Sequence, residues 1–339
     1  MSAGARTFSL DDTFIEPQVL EPPPTRHALF LILLVLAGLL LLGTAGWGDL
    51  RDGIEGQFAG GAREMLANQQ WLTSTINGIP QLQTPPLLYW LIILSYKVFG
   101  VTVAAARLPV ALASVLSVAL TFLIGERLAG YWRGFAAGLI YLCSCDTFIY
   151  GRMLTPEPVF SMFFTAAIFC LVCGYQRRRF RRAWFAALGL CLGLACLTEG
   201  IVGLFYFAGI GVLLAVFLRE ARMRLPYLLH WSCLLIFILV VGPWYGWIFH
   251  WPWPAGFSRW QLVILNLLLW FPASILIGPG LLFASRKVLR STDFSFANVL
   301  PLCWITVLLV PLIVSGAHSY QGLLGTSTAF ALWAATLWD

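Results

Sequence analysis

The stretch from Leu108 to Leu128, "LPVALASVLSVALTFLIGERL", decides the fold. Its first eighteen residues carry no charge. At about 1.5 Å per helical residue they cover most of the roughly 30 Å of bilayer hydrocarbon. They lack the apolar-polar alternation of a barrel strand, so the span is helical. Similar runs read as spans at His27–Ala45, Gly134–Tyr150, Val159–Tyr175, Trp184–Leu197, Ile201–Leu218, Tyr227–Ile248, Gln261–Phe283, Phe296–Ser315 and Gly322–Leu337. The expected fold is all-α, a polytopic helical membrane protein of about ten transmembrane helices. Composition agrees: the 339 residues are 60% hydrophobic with a mean hydropathy of +0.83, against roughly 45–50% apolar content in soluble domains.

The loops between spans fix an expected orientation, because Lys and Arg near span ends favour the cytoplasm. Every second loop is basic: "ERLAGYWR", "QRRRFRR", "REARMR" and "SRKVLR" carry 2, 5, 3 and 3 Lys/Arg, and with Arg6 and Arg26 they hold 15 of the 21 basic residues. This places the N-terminus in the cytoplasm. Residues 1–26, with the Pro-containing "IEPQVLEPPPTRH", read as a disordered cytoplasmic leader, and residues 27–339 as the transmembrane domain. The first span sits too far from Met1, and lacks a small-residue cleavage site, to be a removable signal peptide. The net charge of +6 is then a topology signal that also meets anionic membrane lipids, and nucleic acid is excluded as a partner.

All eight cysteines fall within expected spans, which implies no disulfide framework. The Cys170–Cys173 pair has the spacing of a redox or metal motif but no second pair, so small packing residues are the better reading.

Residues 46–107 form an external juxtamembrane segment between the first and second spans. In "RDGIEGQFAGGAREML", 51–66, Phe58, Ala62, Met65 and Leu66 recur at helical spacing, which predicts a helix with its apolar face on lipid or neighbouring spans. Asn77-Gly78 and Pro80 signal turns, and Pro85-Pro86 introduces an apolar stretch ending at Phe99-Gly100, too short to cross. A second surface-lying or re-entrant helix fits, with Trp71, Tyr89 and Trp90 at headgroup level.

In their order and spacing, these residues resemble a known family. "EGQFAGGAREML", "NGIP", "LQTPPLLYW" and "AARLP" are similar to the lipid-linked-sugar glycosyltransferases of type C, in the branch of aminoarabinose transferases and protein O-mannosyltransferases. Shorter echoes follow in "YGRMLTPEPVF", "LGLACLTEGIVGLFY" and "SGAHSYQGLLGTSTAFALWAA". The resemblance implies an enzyme of the bacterial inner membrane. It would move a sugar, with inversion, from a polyprenyl phosphate of the undecaprenyl type to a hydroxyl of a lipid, glycan or protein acceptor on the external side.

Such chemistry needs a base for the acceptor hydroxyl, and cations or hydrogen-bond donors for the departing lipid phosphate. The resemblance points to an acid at the start of the first surface helix, which makes Asp52 and Glu55 together the catalytic candidates, with the base not assigned between them. The same acids are also explained as helix-start residues stabilised by the macrodipole, worth about 0.3–1 kcal/mol each. Arg152 is the phosphate candidate, because a guanidinium fork matches phosphate oxygens. Glu157 matches the family's acid five residues later and would orient the arginine or the sugar. Arg63, Lys97 and Tyr320 complete the substrate-binding candidates, with His250, Arg259 and His318 also external. Asp146 and Glu199 stand out as acids within spans. No cofactor is implied, and the residues leave a need for divalent metal open.

Two departures from the family pattern oppose this reading. Gln83-Thr84 stands where the aminoarabinose transferases tend to have Glu-Lys, and Glu199 where Leu-Thr-Lys-Gly is usual. Family members also generally continue beyond the position of Asp339. The alternative expectation is a non-catalytic, shortened subunit of a larger membrane complex. A transporter is disfavoured, since no internal repeat is evident.

Overall fold

The computed structural model describes residues 24–51, 53–76, 78–81, 84–176, 181–218, 231–249, 296–314 and 323–336. Helix α1 (Pro24–Ala37) runs on through a π-helical segment, Gly38–Leu42. Two juxtamembrane helices follow, α2 (Ile54–Asn68) and α3 (Leu87–Phe99), separated by a small hairpin. Then come α4 (Val103–Ala129), α5 (Tyr131–Cys143), α6 (Cys145–Tyr150), α7 (Glu157–Gln176), α8 (Arg181–Glu199) and α9 (Val202–Phe217). The described helices end with α10 (Trp231–Phe249), α11 (Phe296–Val314) and α12 (Leu323–Thr336). Among the described residues five helices are long and apolar enough to cross a membrane, at Thr25–Leu42, Val103–Ala129, Glu157–Gln176, Arg182–Glu199 and Trp231–Phe249. The protein is a multi-pass helical membrane protein. The expected span Gln261–Phe283 lies outside the described residues.

Helix α4 organises the molecule. Thr102 caps it by accepting the Ala105 N–H at 3.1 Å, and Gly130, at φ 98°, ends it. Pro109 inside the helix has no N–H to offer the Ala105 carbonyl, and the Ser95 hydroxyl of α3 donates to that oxygen at 2.6 Å instead. The proline gap is thus where α3 docks. Against α5 the contact is backbone to backbone: a Cβ on Gly125 would lie 2.8 Å from the Gly134 Cα, so only glycines permit this approach. Hydroxyls of Ser117 and Thr121 return to carbonyls four residues earlier, at 3.0 and 2.7 Å, which satisfies them within the bilayer.

Two features differ from the sequence expectation. The span expected at Gly134–Tyr150 is broken at Ser144, whose extended backbone (φ −65°, ψ 139°) starts α6 and whose side chain accepts the Thr147 N–H at 3.3 Å. Between α2 and α3 lies a two-stranded antiparallel hairpin, β1 (Ser74–Ile76) and β2 (Ile79–Gln81), with Ile76 paired to Ile79.

The apolar face of α2 rests on protein. Phe58, Ala62 and Met65 pack against Leu88, Tyr89 and Ile92 of α3 and Val110 of α4. On α3 the opposite face leaves Leu94, Val98 and Phe99 exposed, as suits a thirteen-residue helix lying against both protein and lipid. The end of the bundle that carries α2, α3 and the hairpin is called the juxtamembrane face below. At the opposite face Arg26 of α1 pairs with Glu126 of α4.

Candidate functional site

The juxtamembrane face is built around one carboxylate. Glu55, in the first turn of α2, is fully buried. Its Oε1 accepts the Arg107 Nε–H at 2.9 Å and the Leu154 backbone N–H at 2.8 Å. Its Oε2 accepts the Arg107 Nη2–H and the Arg51 backbone N–H, both at 2.8 Å. A carboxylate has about four lone-pair sites, and here all are filled. Burial pushes the carboxyl's pKa up, but the hydrogen bonds from Arg107, Arg51 and Leu154 outweigh it and hold the pKa below the usual carboxylate range.

Arg107 is equally occupied. Beyond Glu55, its Nη1 donates to the carbonyls of Trp47 (2.9 Å) and Gly48 (3.3 Å), and its Nη2 to that of Asp49 (2.8 Å). The segment leaving α1 therefore wraps the guanidinium. A second link comes from Ser114 of α4, whose hydroxyl donates to the Gly151 carbonyl at 2.8 Å. The clamp thus joins the α1–α2 connection, the start of α4 and the Gly151–Pro156 turn between α6 and α7. Sequence reasoning quoted "AARLP" without giving Arg107 a role; an arginine opening an otherwise uncharged span was the available signal.

Around the clamp the other candidates are dispersed. Arg152 lays its guanidinium over the Phe148 ring, 4.4 Å from the centroid. The exposed Arg51 reaches Met153, with Nη1 3.9 Å from Sδ. Glu157, the first residue of α7, accepts from the Thr155 hydroxyl at 3.3 Å. Glu199, the last residue of α8, lies at the same end of the bundle. Its Oε1 has no hydrogen-bond partner among the described residues. Asp146 accepts from Ser327 at 2.7 Å, joining α6 to α12.

Lys97 and Arg63 lie apart from this group. Lys97, in the last turn of α3, stands 4.8 Å from the Trp71 ring centroid. Arg63 is exposed on α2, while its neighbour Glu64 accepts from Thr75 of the hairpin at 2.7 Å. Thr84 shares a 3.1 Å hydrogen bond with the Tyr89 hydroxyl. Asp52, Gln83, His250, Arg259, His318 and Tyr320 lie outside the described residues.

Comparison with known proteins bears on these features. Residues 83–247 match the family described as dolichyl-phosphate-mannose-protein mannosyltransferase. The undecaprenyl phosphate-alpha-4-amino-4-deoxy-L-arabinose arabinosyl transferase of Edwardsiella ictaluri is 32% identical over 153 residues, 44% of this chain and 28% of that protein. A Pseudomonas fluorescens protein of the same description is 26% identical over 227 residues, 65% of this chain and 40% of that protein. The crystal structure of ArnT from Cupriavidus metallidurans bound to undecaprenyl phosphate superimposes with a TM-score of 0.74 at 20% identity, covering 90% of this chain and 59% of that one. The chain therefore spans well under half the length of these two curated relatives. The resemblance to the type C glycosyltransferases, and among them to the aminoarabinose transferase branch, holds in both sequence and fold.

Proposed function

We propose that the chain forms the transmembrane catalytic part of a glycosyltransferase that moves a sugar from a polyprenyl phosphate to an acceptor hydroxyl, with inversion, at the juxtamembrane face. The observation that carries this reading is the Glu55–Arg107 clamp, which ties the backbone of Arg51 to that of Leu154, in the turn that also carries Arg152. The donor and acceptor classes are those in the names of the relatives, carried to this chain as part of the proposal.

In the reaction the acceptor oxygen forms a bond to the anomeric carbon, and the bond from that carbon to the phosphate oxygen breaks. The electron pair leaves with the phosphate and the acceptor proton passes to a base. Glu55, with its lone pairs occupied, is a positioning residue in this scheme, so the base role falls to Asp52. Arg152 takes the phosphate charge, and Glu157 orients the sugar. The basic loops support an external juxtamembrane face, a cytoplasmic N-terminus and residues 1–26 as a leader.

Purified protein in liposomes, offered a panel of polyprenyl-phosphate sugars, should release polyprenyl monophosphate. Asp52→Asn should lower turnover by about 10²–10⁴-fold, the usual worth of a general base. Absence of turnover across a broad donor panel overturns the reading. A specific observation favours a second one: Thr84 and Glu199 occupy positions where the family tends to have lysines. This suits a non-catalytic subunit of a larger complex, and purification in mild detergent with a partner in fixed stoichiometry supports it.

A further inference from the structure

We infer that Cys143 and Cys145, the two thiols flanking the break between α5 and α6, form a redox-active pair that a lipid-soluble quinone oxidises to a disulfide in the apolar groove beside α1. The inference uses none of the residues assigned to sugar transfer and stands apart from that reading.

The break creates the pair. Cys143 ends α5, Cys145 begins α6, and the single residue between them, Ser144, is extended at φ −65° and ψ 139°. This is polyproline-like backbone, which advances about 3.1 Å per residue and so sets the two Cα atoms about 6 Å apart. A disulfide accepts Cα separations of about 4.4–6.8 Å. In an unbroken helix, residues two apart do not face each other. Here both side chains line the same groove. Of the eight cysteines only these two are exposed; five are buried and Cys191 is half-buried.

The groove gives access and selects the oxidant. Its volume is about 470 Å³, and its walls include Leu36 and Leu40 from the α1 side and Leu139, Leu142, Phe148 and Ile149 from α5 and α6. No charged side chain lines it, so the two thiols are its reactive groups. A charged, water-soluble oxidant is kept out of such a groove, whereas a quinone, an apolar ring on an apolar tail, partitions into it. In the step both S–H bonds break and one S–S bond forms. The quinone takes up the two electrons and, on its two oxygens, the two protons, and leaves as quinol. Thiolate is the form that reacts, and the next residue, Asp146, brings a part-buried carboxylate to the same turn.

Two other readings fit the pair less well. Cysteines that serve as small packing residues are buried, as Cys170, Cys173, Cys196, Cys233 and Cys303 are. A metal centre needs further ligands, and no group of three metal-binding side chains occurs among the described residues. A disulfide across one intervening residue closes a small ring and is readily reduced again, which suits a reversible switch rather than a structural bond. Closing it fixes the break that carries Phe148, over whose ring the Arg152 guanidinium lies.

The test uses the full chain in phospholipid nanodiscs, with every thiol first reduced and the reductant then removed under argon. The probe is decylubiquinone, whose fully substituted ring leaves no position for thiol addition. Its conversion to quinol, followed by absorbance, should reach one equivalent per chain, and mass spectrometry should show the loss of two hydrogen atoms and a disulfide between Cys143 and Cys145. Cys143→Ser and Cys145→Ser should each lose the reaction, whereas Cys191→Ser, at the next most accessible thiol, should keep it. Leu139→Trp, which fills the groove and leaves both thiols, should slow it about tenfold or more, the worth of one buried apolar side chain. Thiols that stay reduced under excess quinone, a disulfide mapped to other cysteines or between two chains, or an undiminished rate in Leu139→Trp each overturn the inference.

Discussion

Glu55 and Glu199 are both acids at helix ends near the juxtamembrane face, and the fold treats them in opposite ways. Glu55 is fully buried, and every lone pair of its carboxylate meets an N–H. Glu199 has an oxygen with no hydrogen-bond partner among the described residues. A buried charge is tolerable only when paired and hydrogen-bonded, and removing one member of such a pair is expensive. The first acid is therefore architecture, and the second is not held in a comparable network among the described residues. Five measurements press on this contrast.

The largest effect should follow Arg107→Met, which strands the Glu55 charge and the backbone carbonyls of Ala45, Trp47, Gly48 and Asp49. Breaking a buried pair costs about 3–5 kcal/mol, read as a lowered unfolding midpoint in detergent. A loss under about 1 kcal/mol, the value of an exposed pair, would remove the clamp from the scaffold. Next comes Glu55→Gln, which keeps the shape but gives up charge assistance, at about 1.5–3 kcal/mol. Glu199→Gln in the same assay should stay within about 0.5 kcal/mol, and an equal loss at the two sites would erase the contrast.

Acid should then imitate the Glu55 change. Because its folded pKa lies below the ordinary 4.5, its stabilisation is complete above about pH 4.5 and is lost as the pH falls through the lowered value. The stability gap between wild type and Glu55→Gln should hold through neutral pH and close in acid; a constant gap refutes the assignment. A small effect is also expected for Arg26→Ala at the opposite face. Its pair with Glu126 is part-exposed, with 32% and 16% of the side chains accessible, so about 0–1 kcal/mol is expected.

The sequence discloses the helices far better than the clamp. Apolar runs are local, so spans such as Val159–Tyr175 and Ile201–Leu218 coincide with α7 and α9 to within two residues. Helix α4 begins at Val103, ahead of the expected Leu108, because Thr102 caps it before Arg107. Ser144 hides its break because Cys-Ser-Cys continues a run of small residues, although a serine three residues before a threonine N–H is a cap in the making. The Glu55 partners lie 52 and 99 residues away, and no periodicity in one chain pairs such positions. That is why an acid at the family's helix-start position reads equally well as a base or as a structural anchor until its neighbours are visible.

The clamp also constrains the order of synthesis. Its carboxylate leaves the ribosome first, its guanidinium about fifty residues later, and its last N–H donor, at Leu154, about a hundred residues later. Until the α6–α7 turn has emerged, Oε1 lacks one donor, and the α1–α2 connection is held only by its contacts with α4. Membrane insertion of the first helices must therefore tolerate an incomplete set of donors on Glu55. Limited proteolysis of chains stalled before Leu154 should therefore cut the α1–α2 connection faster than that of chains extended past it, and equal cleavage would refute this.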